Sequence, residues 1–302
     1  MNSKENQNIL ISIIIGTRPE AIKLSPLILE FQKRKDIQTR LILTGQHKEM
    51  VSQVLEMFGL HECLDLKIMK KKQSLGYLTN AVMIGLEKDF LENKPNLVIV
   101  QGDTTTAFAA ALTSFYLGIK IAHVEAGLRT NNLNDPFPEE ANRKMITQLA
   151  SLHFAPTQNA FNNLTKSFAL GRIEVTGNTV IDALLFIKNK YGYDSYSSKN
   201  NPNKLILTSI HRRENWGQKI ESIAYGIRMI AEKHENVRII LPLHKNEIVR
   251  KPLQKILGGH SRIELVEPLN YSDLVSKLSN CYFVLTDSGG IQEEAPALGK
   301  PV

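Results

Sequence analysis

Three carboxylates follow apolar runs of the chain at the points where strands are expected to end. Asp103 comes soon after the run 96–101, Glu125 closes the run 120–125, and Glu139 opens a later periodic segment. The carboxyl ends of parallel strands meet at one edge of a sheet, and ligands of open α/β sheets bind there. Carboxylates grouped at such an edge can give and take protons, so the pattern predicts general acid–base chemistry.

Two of these carboxylates also have a plainer interpretation. Asp103 could cap the helix that follows it, and Glu139 could form an i,i+4 ion pair with Arg143 in the first turns of a helix. Glu125 has no capping role, because it ends a strand and is followed by small residues. The set is therefore a stronger signal than any one member.

Cations are expected at the same edge. Arg18 and Lys23 follow the first strand, and an anion between them and the helix start would offset the unfavourable position of a lysine in the first turns of a helix. A solvated lysine is the alternative for Lys23. His211 stands beyond a strand of the second half, next to Arg212, which favours a ligand contact over a role as a core histidine.

The segment 287–294 reads Asp-Ser-Gly-Gly-Ile-Gln-Glu-Glu and follows the apolar run 282–286. A strand, a turn of small residues and a helix start bring free backbone N–H groups and the positive helix end to one point, which binds phosphate. Phosphate does not need Glu293 and Glu294, which we place in the first turn of this helix. They indicate a second polar group, such as sugar hydroxyls, so the segment predicts a phosphorylated sugar or a nucleotide sugar as ligand.

Several other classes of protein are disfavoured by missing motifs. No Gly-x-Gly-x-x-Gly follows the first strand, and no Gly-Lys-[Ser/Thr] loop or Gly-x-Ser-x-Gly elbow occurs. These absences argue against nicotinamide cofactors, P-loop nucleotides and serine hydrolysis. The histidines and the two cysteines lack metal-ligand spacing, so no metal site is expected.

The charge is 37 − 30 = +7, which fits a basic surface or an anionic ligand. Lysines and arginines are scattered apart from 70–72, and no interleaving with aromatic residues supports nucleic acid as a partner. The apolar run 9–15 is too short for a membrane span or a signal peptide, so no membrane partner is expected. Two distant cysteines in apolar contexts fit a reducing cytoplasm.

Apolar, β-branched runs alternate with helical patterns throughout the chain, which predicts an α/β fold with parallel sheets wrapped by helices. The alternation restarts after the polar stretch 191–204, and the apolar helix before this stretch is assigned to the second half. We therefore expect two α/β domains, 1–175 with the carboxylates and 176–302. The predicted strands are 9–15, 39–44, 96–101, 120–125, 152–155, 172–175, 205–210, 237–242, 263–266 and 282–286.

Seven short segments form a combination that is highly specific when taken together. They are 16–23, 102–106, 123–129, 138–143, 177–182, 211–214 and 287–294. From residue 9 to its end the chain resembles the bacterial non-hydrolysing UDP-N-acetylglucosamine 2-epimerases; the hydrolysing relatives usually vary the last of these segments. The resemblance implies the GT-B architecture, in which two Rossmann-like, doubly wound domains face each other across a cleft; the second, 176–302, would bind UDP.

The resemblance also implies a reaction, the interconversion of UDP-N-acetylglucosamine and UDP-N-acetylmannosamine for cell-surface polysaccharide synthesis. The C2 proton is removed while UDP leaves C1, the resulting 2-acetamidoglucal stays bound, and UDP adds back with protonation of the other face. No cofactor takes part. The implied catalytic residues are Asp103, Glu125, Glu139 and His211, and which carboxylate serves which face stays open.

The substrate contacts implied by the resemblance divide by the part of the ligand. Cationic side chains would hold the diphosphate, backbone N–H groups of 288–290 would bind phosphate, and Glu294 would bind ribose or sugar hydroxyls. The segment 268–271 would line the uracil pocket. The implied substrate-binding set is Arg18, Lys23, Asp103, Glu125, Arg143, His211, Leu269, Leu274, Ser288, Gly289, Gly290 and Glu294.

Two positions depart from the family pattern. Leu274 stands where relatives often carry an aromatic residue, which would weaken stacking on uracil. Lys72 stands where regulated relatives have arginine, at a site for a second UDP-N-acetylglucosamine, and lysine lacks the bidentate fork of arginine. This regulation is therefore expected to be impaired; its possible residues are Gln46, His47, Lys72, Arg212 and His244.

The resemblance implies more chain than these 302 residues contain. The sequence stops at 299–302, inside an expected strand, where family members continue with an arginine-containing loop and further helices. We therefore expect a truncated second domain, poor stability and weak or no activity. The resemblance also implies a homodimer.

Two other functions fit the same fold. A GT-B glycosyltransferase would use a UDP-sugar, although glycosyl transfer does not need three carboxylates near C2. A non-catalytic UDP-sugar-binding protein would bind the same ligand without proton exchange at C2.

Overall fold

The computed structural model of the chain describes residues 8–45, 48–70, 73–193 and 203–302. Their contacts divide the chain into two compact units, Met1–Ala183 and Leu184–Val302. The division falls inside a helix that spans Thr179–Tyr191. The assignment of separate roles to 1–175 and 176–302 stays a prediction.

The first unit is built on a seven-stranded sheet with the strand order β3-β2-β1-β4-β5-β6-β7, and all neighbouring strands are parallel. The order reverses direction between β1 and β4, and crevices at such reversals are where α/β sheets bind ligands. The strands are β1 (Ile9–Ile15), β2 (Ile37–Leu43), β3 (Leu64–Asp65), β4 (Leu97–Gln101), β5 (Lys120–Val124), β6 (Leu152–Ala155) and β7 (Arg172–Val175).

Helices follow the strands of this sheet and cover it. Central parallel strands are covered on both faces and therefore read as continuous apolar runs; β1 is buried from Ile11 to Ile15. The helices are α1 (Arg18–Gln32), α2 (Lys48–Phe58), α3 (Leu75–Glu92), α4 (Thr105–Tyr116), α5 (Glu139–Leu149), α6 (Gln158–Lys166) and α7 (Thr179–Tyr191).

A core of apolar side chains from α3 and α4 packs against the middle of this sheet. α3 contributes Val82, Leu86 and Phe90, each at most 1% exposed, and α4 contributes the small residues 109–111. Small side chains let α4 approach α3 and the sheet closely, and this packing fixes the turn between β4 and α4 that carries Asp103.

The second unit has a four-stranded parallel sheet with the order β10-β9-β8-β11. Its strands are β8 (Lys204–Ser209), β9 (Val237–Pro242), β10 (Ile263–Val266) and β11 (Phe283–Thr286). A 3₁₀ turn at Arg213–Asn215 follows β8, and the helices are α8 (Gln218–Lys233), α9 (Glu247–Leu257), α10 (Tyr271–Asn280) and α11 (Gly289–Ala297). The predicted α/β fold with parallel sheets is confirmed.

Among the helices of the described residues, none is long and apolar enough to cross a membrane. The same residues contain no group of three or more His, Cys, Asp or Glu side chains that could hold a metal ion.

Candidate active site

Glu125 follows β5 directly and is surrounded by donors. The Nζ atom of Lys23 lies 2.6 Å from both carboxylate oxygens. The amide of Asn178 donates to Oε1 at 3.1 Å, and the amide of Gln101 donates to Oε2. Glu125 has a φ of 61°, in the left-handed region that non-glycine residues rarely occupy and that is enriched at functional sites.

Lys23 therefore has a carboxylate as its partner in this structure. The sequence places an anion beside Lys23 to offset its position near the start of α1, and Glu125 meets that requirement from within the protein. Arg18, the first residue of α1, is half-buried. Whether Arg18 and Lys23 hold a diphosphate stays a prediction.

Asp103 lies in the turn before α4 and is bound by Arg143 of α5. Both Nε and Nη2 of the guanidinium donate to Oδ2 of Asp103, the first at 3.0 Å. The cap of α4 is Thr104, whose hydroxyl accepts the N–H of Ala107, so the interpretation of Asp103 as a helix cap is wrong. The carboxylate of Asp103 is instead oriented by a cation from another helix.

Glu139 is the first residue of α5 and is half-buried. The expected i,i+4 pair with Arg143 is replaced, because Arg143 donates to Asp103 and, at 3.2 Å, to the fully buried Glu140. The part of the chain that the structure describes shows no hydrogen bond or ion pair of the Glu139 carboxylate. Glu139 thus differs from Asp103 and Glu125, each of which is held by a cation.

Glu20 joins two turns at this edge of the sheet. Its Oε2 accepts the backbone N–H groups of Gly16 and Thr17 and the hydroxyl of Thr17, and its Oε1 accepts the hydroxyl of Thr104 at 2.7 Å. Burial raises the pKa of Glu20, although these hydrogen bonds lower it. The carboxyl group locks the turn after β1 to the turn after β4, and thereby positions α1 relative to Asp103.

A buried histidine lies beneath the same turn. Nε2 of His123, in β5, is 2.7 Å from the carbonyl oxygen of Gly102. Burial lowers the pKa of His123 to about 3, so the ring is neutral and Nε2 donates to this carbonyl. The hydrogen bond fixes the backbone just before Asp103, two residues ahead of Glu125 in the neighbouring strand.

In the second unit the polar residues gather after β8 and β11. The carboxylate of Asp287 accepts the backbone N–H groups of His211 and Arg212 and the side-chain amide of Asn215. The ring of His211 lies beside the ring of His244, with centroids 6.2 Å apart and planes at 17°. His211 and Arg212 are thereby brought to the end of β11.

α11 begins directly after this point. Ser288 is its N-cap residue, and the first helical residues are Gly289 and Gly290, whose N–H groups lie in the orphan positions of a helix start. The N–H of Ser288 donates to the hydroxyl of Thr286 at 2.9 Å. A Cβ atom at Gly289 would lie 3.2 Å from Nη2 of Arg212, so a guanidinium stands next to the helix start.

Glu294 lies in the second turn of α11, since the helix starts at Gly289; the expectation that Glu293 and Glu294 occupy the first turn is wrong. Glu294 is 5% exposed and accepts the hydroxyl of Tyr271 at 3.0 Å. Leu269 precedes α10 and Leu274 lies within it, and both are half-buried. The assignment of these residues to ribose and uracil stays a prediction.

Of the possible allosteric residues, Gln46, His47 and Lys72 lie outside the described residues. The amides Gln101 and Asn178 contact Glu125 in the first unit, and the carboxylate of Asp287 contacts His211 in the second, although the sequence assigned none of the three a role. Their position in the sequence could have identified them, because each lies at or just beyond the carboxyl end of a strand.

The chain is similar to known proteins over nearly its whole length. The family model described as UDP-N-acetylglucosamine 2-epimerase matches residues 29–302. UDP-N-acetylglucosamine 2-epimerases of Salmonella borreze and Bacillus subtilis are each 46% identical to it, over 96% of this chain and 79% and 76% of their own lengths.

Solved structures agree. The UDP-GlcNAc 2-epimerase from Neisseria meningitidis bound to UDP-GlcNAc superimposes with a TM-score of 0.85 at 42% identity, over 97% of this chain and 82% of that one. The glycotransferase of kitacinnamycin, at 11% identity, superimposes with a TM-score of 0.62 over 97% of this chain and 79% of that one, and shows the fold alone. The predicted GT-B fold class and family resemblance are confirmed: the chain belongs to the UDP-N-acetylglucosamine 2-epimerase family.

Proposed function

We propose that this protein is an isomerase that interconverts UDP-N-acetylglucosamine and UDP-N-acetylmannosamine. The observation that carries the proposal is the pair of carboxylates Asp103 and Glu125. Both follow adjacent strands of the first sheet, and each is held by a cation from a different helix. In a member of this family, such carboxylates are suited to move a proton at C2 of the sugar.

The chemistry assigns a task to each kind of residue. A carboxylate takes the proton from C2, the electrons of that bond form the C1–C2 double bond, and the electrons of the C1–O bond leave with UDP. The 2-acetamidoglucal then takes back a proton at the other face of C2 while UDP attacks C1. Asp103, Glu125 and Glu139 are the candidates for these proton transfers, and no cofactor enters the balance.

Residues of the second unit fit the binding of UDP. The start of α11, at Ser288–Gly290, supplies backbone N–H groups and a positive helix end for phosphate. His211 and the guanidinium of Arg212 stand beside it, and Glu294 is proposed to bind the ribose or sugar hydroxyls. Positive charge next to the diphosphate stabilises UDP as it leaves.

We also propose that the protein acts in the cytoplasm as a homodimer, without nucleic acid or membrane as a partner. The two cysteines, exposed Cys63 and buried Cys281, are not joined in a disulfide, which supports a reducing compartment. Large apolar side chains at 54–71% exposure along α3 and α4 support a protein contact there; they are Ile84, Leu91, Phe115 and Tyr116. Light scattering after size exclusion would give 68 kDa for a dimer, twice the 34.0 kDa of the chain.

Proton NMR of UDP-N-acetylglucosamine with the protein in D₂O tests the function. Deuterium at C2 together with an anomeric signal of UDP-N-acetylmannosamine is the expected result. A Glu125→Gln variant is the matched control, because it keeps the shape of the side chain but cannot take a proton.

Two results would contradict the proposal. Binding of UDP-N-acetylglucosamine without exchange at C2 would indicate a UDP-sugar-binding protein. Transfer of the sugar to an acceptor with C2 unchanged would indicate a glycosyltransferase.

A further inference from the structure

The carboxylate of Asp287 organises the loop that follows β8. Its oxygens accept the backbone N–H of His211 at 3.0 and 3.1 Å, the backbone N–H of Arg212 at 3.0 Å and the side-chain amide of Asn215 at 2.9 Å. The side chain of Asp287 is only 13% exposed. One carboxylate therefore ties the loop 211–215 to the end of β11.

Asp287 is an acidic residue directly before the helix start at which an anion is proposed to bind, so its negative charge there has to be explained. A carboxylate beside a diphosphate is repulsive unless its charge is compensated. The backbone and amide donors compensate part of it. Nδ1 of the His211 ring is also close, at 3.3 Å from Oδ1 of Asp287, and catalytic hydrogen bonds are often longer than usual before substrate is bound.

We propose that Asp287 is the positioning residue of His211, and that it keeps a hydrogen on Nδ1 so that Nε2 is the ring nitrogen offered to the ligand. The identity of that ligand, the diphosphate of a UDP-sugar, rests on the proposed function. When Nε2 also carries a hydrogen, the ring is a cation between Asp287 and the diphosphate. Its charge then stabilises the negative charge that develops on UDP as the C1–O bond breaks.

A second histidine restricts the orientation of the His211 ring. The ring of His244 stands nearly parallel to it, at 6.2 Å and 17°. Nδ1 of His244 accepts the backbone N–H of Asn246 at 3.1 Å, so in the neutral ring the hydrogen of His244 lies on Nε2. The carboxylate near Nδ1 and the neighbouring ring would together orient His211, as carboxylates orient histidines in hydrolytic triads.

Nitrogen-15 NMR of protein labelled in its histidine rings reads the tautomer without any substrate. The signals of His211 are identified by their loss in His211→Gln. At pH 8 the wild-type protein is expected to carry the His211 hydrogen on Nδ1. In Asp287→Asn the tautomer should shift to Nε2, because the carboxamide oxygen is needed by the backbone N–H groups and the NH₂ group then faces Nδ1.

Asn215→Ala is the matched control. It removes a donor to the same carboxylate but no neighbour of the His211 ring, so the wild-type tautomer is expected to persist. A wild-type ring with its hydrogen on Nε2 would overturn the proposal, as would an unchanged spectrum in Asp287→Asn. A shift in Asn215→Ala as large as in Asp287→Asn would assign the effect to loosening of the loop and would also overturn it.

Kinetics give an independent measurement. In the D₂O assay, Asp287→Asn should lower kcat by about 100-fold, as expected for a misplaced catalytic group, while the Kd for UDP changes far less. An equal loss in kcat and in UDP binding would indicate a structural role and refute the inference. Absence of epimerisation in the wild-type protein would refute the proposed function, whereas the tautomer of His211 is measured without it.

Discussion

Replacing Lys23 by methionine tests how much the ion pair between Lys23 and Glu125 contributes to the stability of the first unit. The two side chains are 17% and 8% exposed, and Nζ lies 2.6 Å from both carboxylate oxygens. Methionine keeps the length and the apolar stem but leaves the carboxylate with the amides of Gln101 and Asn178. Removing one partner of a buried ion pair costs about 3–5 kcal/mol. Because two amide donors remain, we expect the lower end of this range, about 3 kcal/mol.

Hydrogen exchange read by mass spectrometry measures this loss within the first unit. Peptides that cover β1 and β4 report opening of its central strands. A loss of about 3 kcal/mol makes their exchange faster by about 100-fold, since 1.4 kcal/mol is tenfold. Lys33→Met, at the C-cap of the same helix, is the matched control, because Lys33 and its partner Glu30 are each 67% exposed. Such an exposed pair contributes about 0–1 kcal/mol.

A double-mutant cycle separates the pair from its surroundings. The double variant, with both Lys23→Met and Glu125→Gln, should lose much less stability than the sum of the two single variants. The reason is that Glu125→Gln removes the charge that Lys23→Met leaves uncompensated. A loss below about 1 kcal/mol for Lys23→Met, equal to that of the control, would refute the reasoning. Strict additivity in the cycle would refute it as well.

Three further predictions follow from the buried groups. The pKa of His123 is about 3 in the folded protein and about 6.5 in the unfolded chain, so the folded state loses stability as the pH falls below 6.5. Between pH 7 and pH 5 this one group lowers the free energy of unfolding by about 2 kcal/mol. In urea unfolding, His123→Gln should reduce the loss between these two pH values by that amount. Gly127→Ala places a Cβ 2.3 Å from a backbone oxygen at a φ of 91°, and in thermal unfolding it should cost about 4 kcal/mol or prevent folding. Gly59→Ala is the control in the same experiment: at a φ of 75° with open space around the Cβ, it should cost about 1–2 kcal/mol. Tyr271→Phe removes the hydroxyl that donates to buried Glu294 and should cost about 2 kcal/mol by urea unfolding and weaken UDP binding by calorimetry; unchanged binding would contradict the ribose-binding role of Glu294.

The sequence was sufficient for most of the fold because buried parallel strands are continuous apolar runs. All ten predicted strands are present, with ends that differ by at most two residues. β3 was missed because two residues, Leu64 and Asp65, carry no periodicity. Pro252 stands inside α9, although proline normally ends a helix; apolar residues of the helix on either side of it are buried in the core.

The candidate site was predictable as a set of charged residues but not as a set of contacts. Position after a strand identified Asp103, Glu125 and His211, because strand ends share an edge. The partners were assigned less well, since Arg143 pairs with Asp103 and Lys23 with Glu125 across sequence separations of 40 and 102 residues. No local pattern contains such pairs, which depend on how the helices pack.

Two cations of the first unit, Lys23 and Arg143, already contact carboxylates, and this bears on the proposed mechanism. Lys23 is paired with Glu125 and Arg143 with Asp103, so two of the three carboxylates proposed for proton transfer each contact a cation. The carboxylate of Glu139 differs, because it has no such partner among the described residues. In the second unit, the helix start at Gly289 and the Arg212 side chain next to it are proposed to meet the charge of departing UDP. His211 differs from them because its neighbour Asp287 orients the ring and leaves one nitrogen for the ligand. The distinction predicts that neutralising Arg212 weakens UDP binding, whereas neutralising Asp287 slows the chemical step.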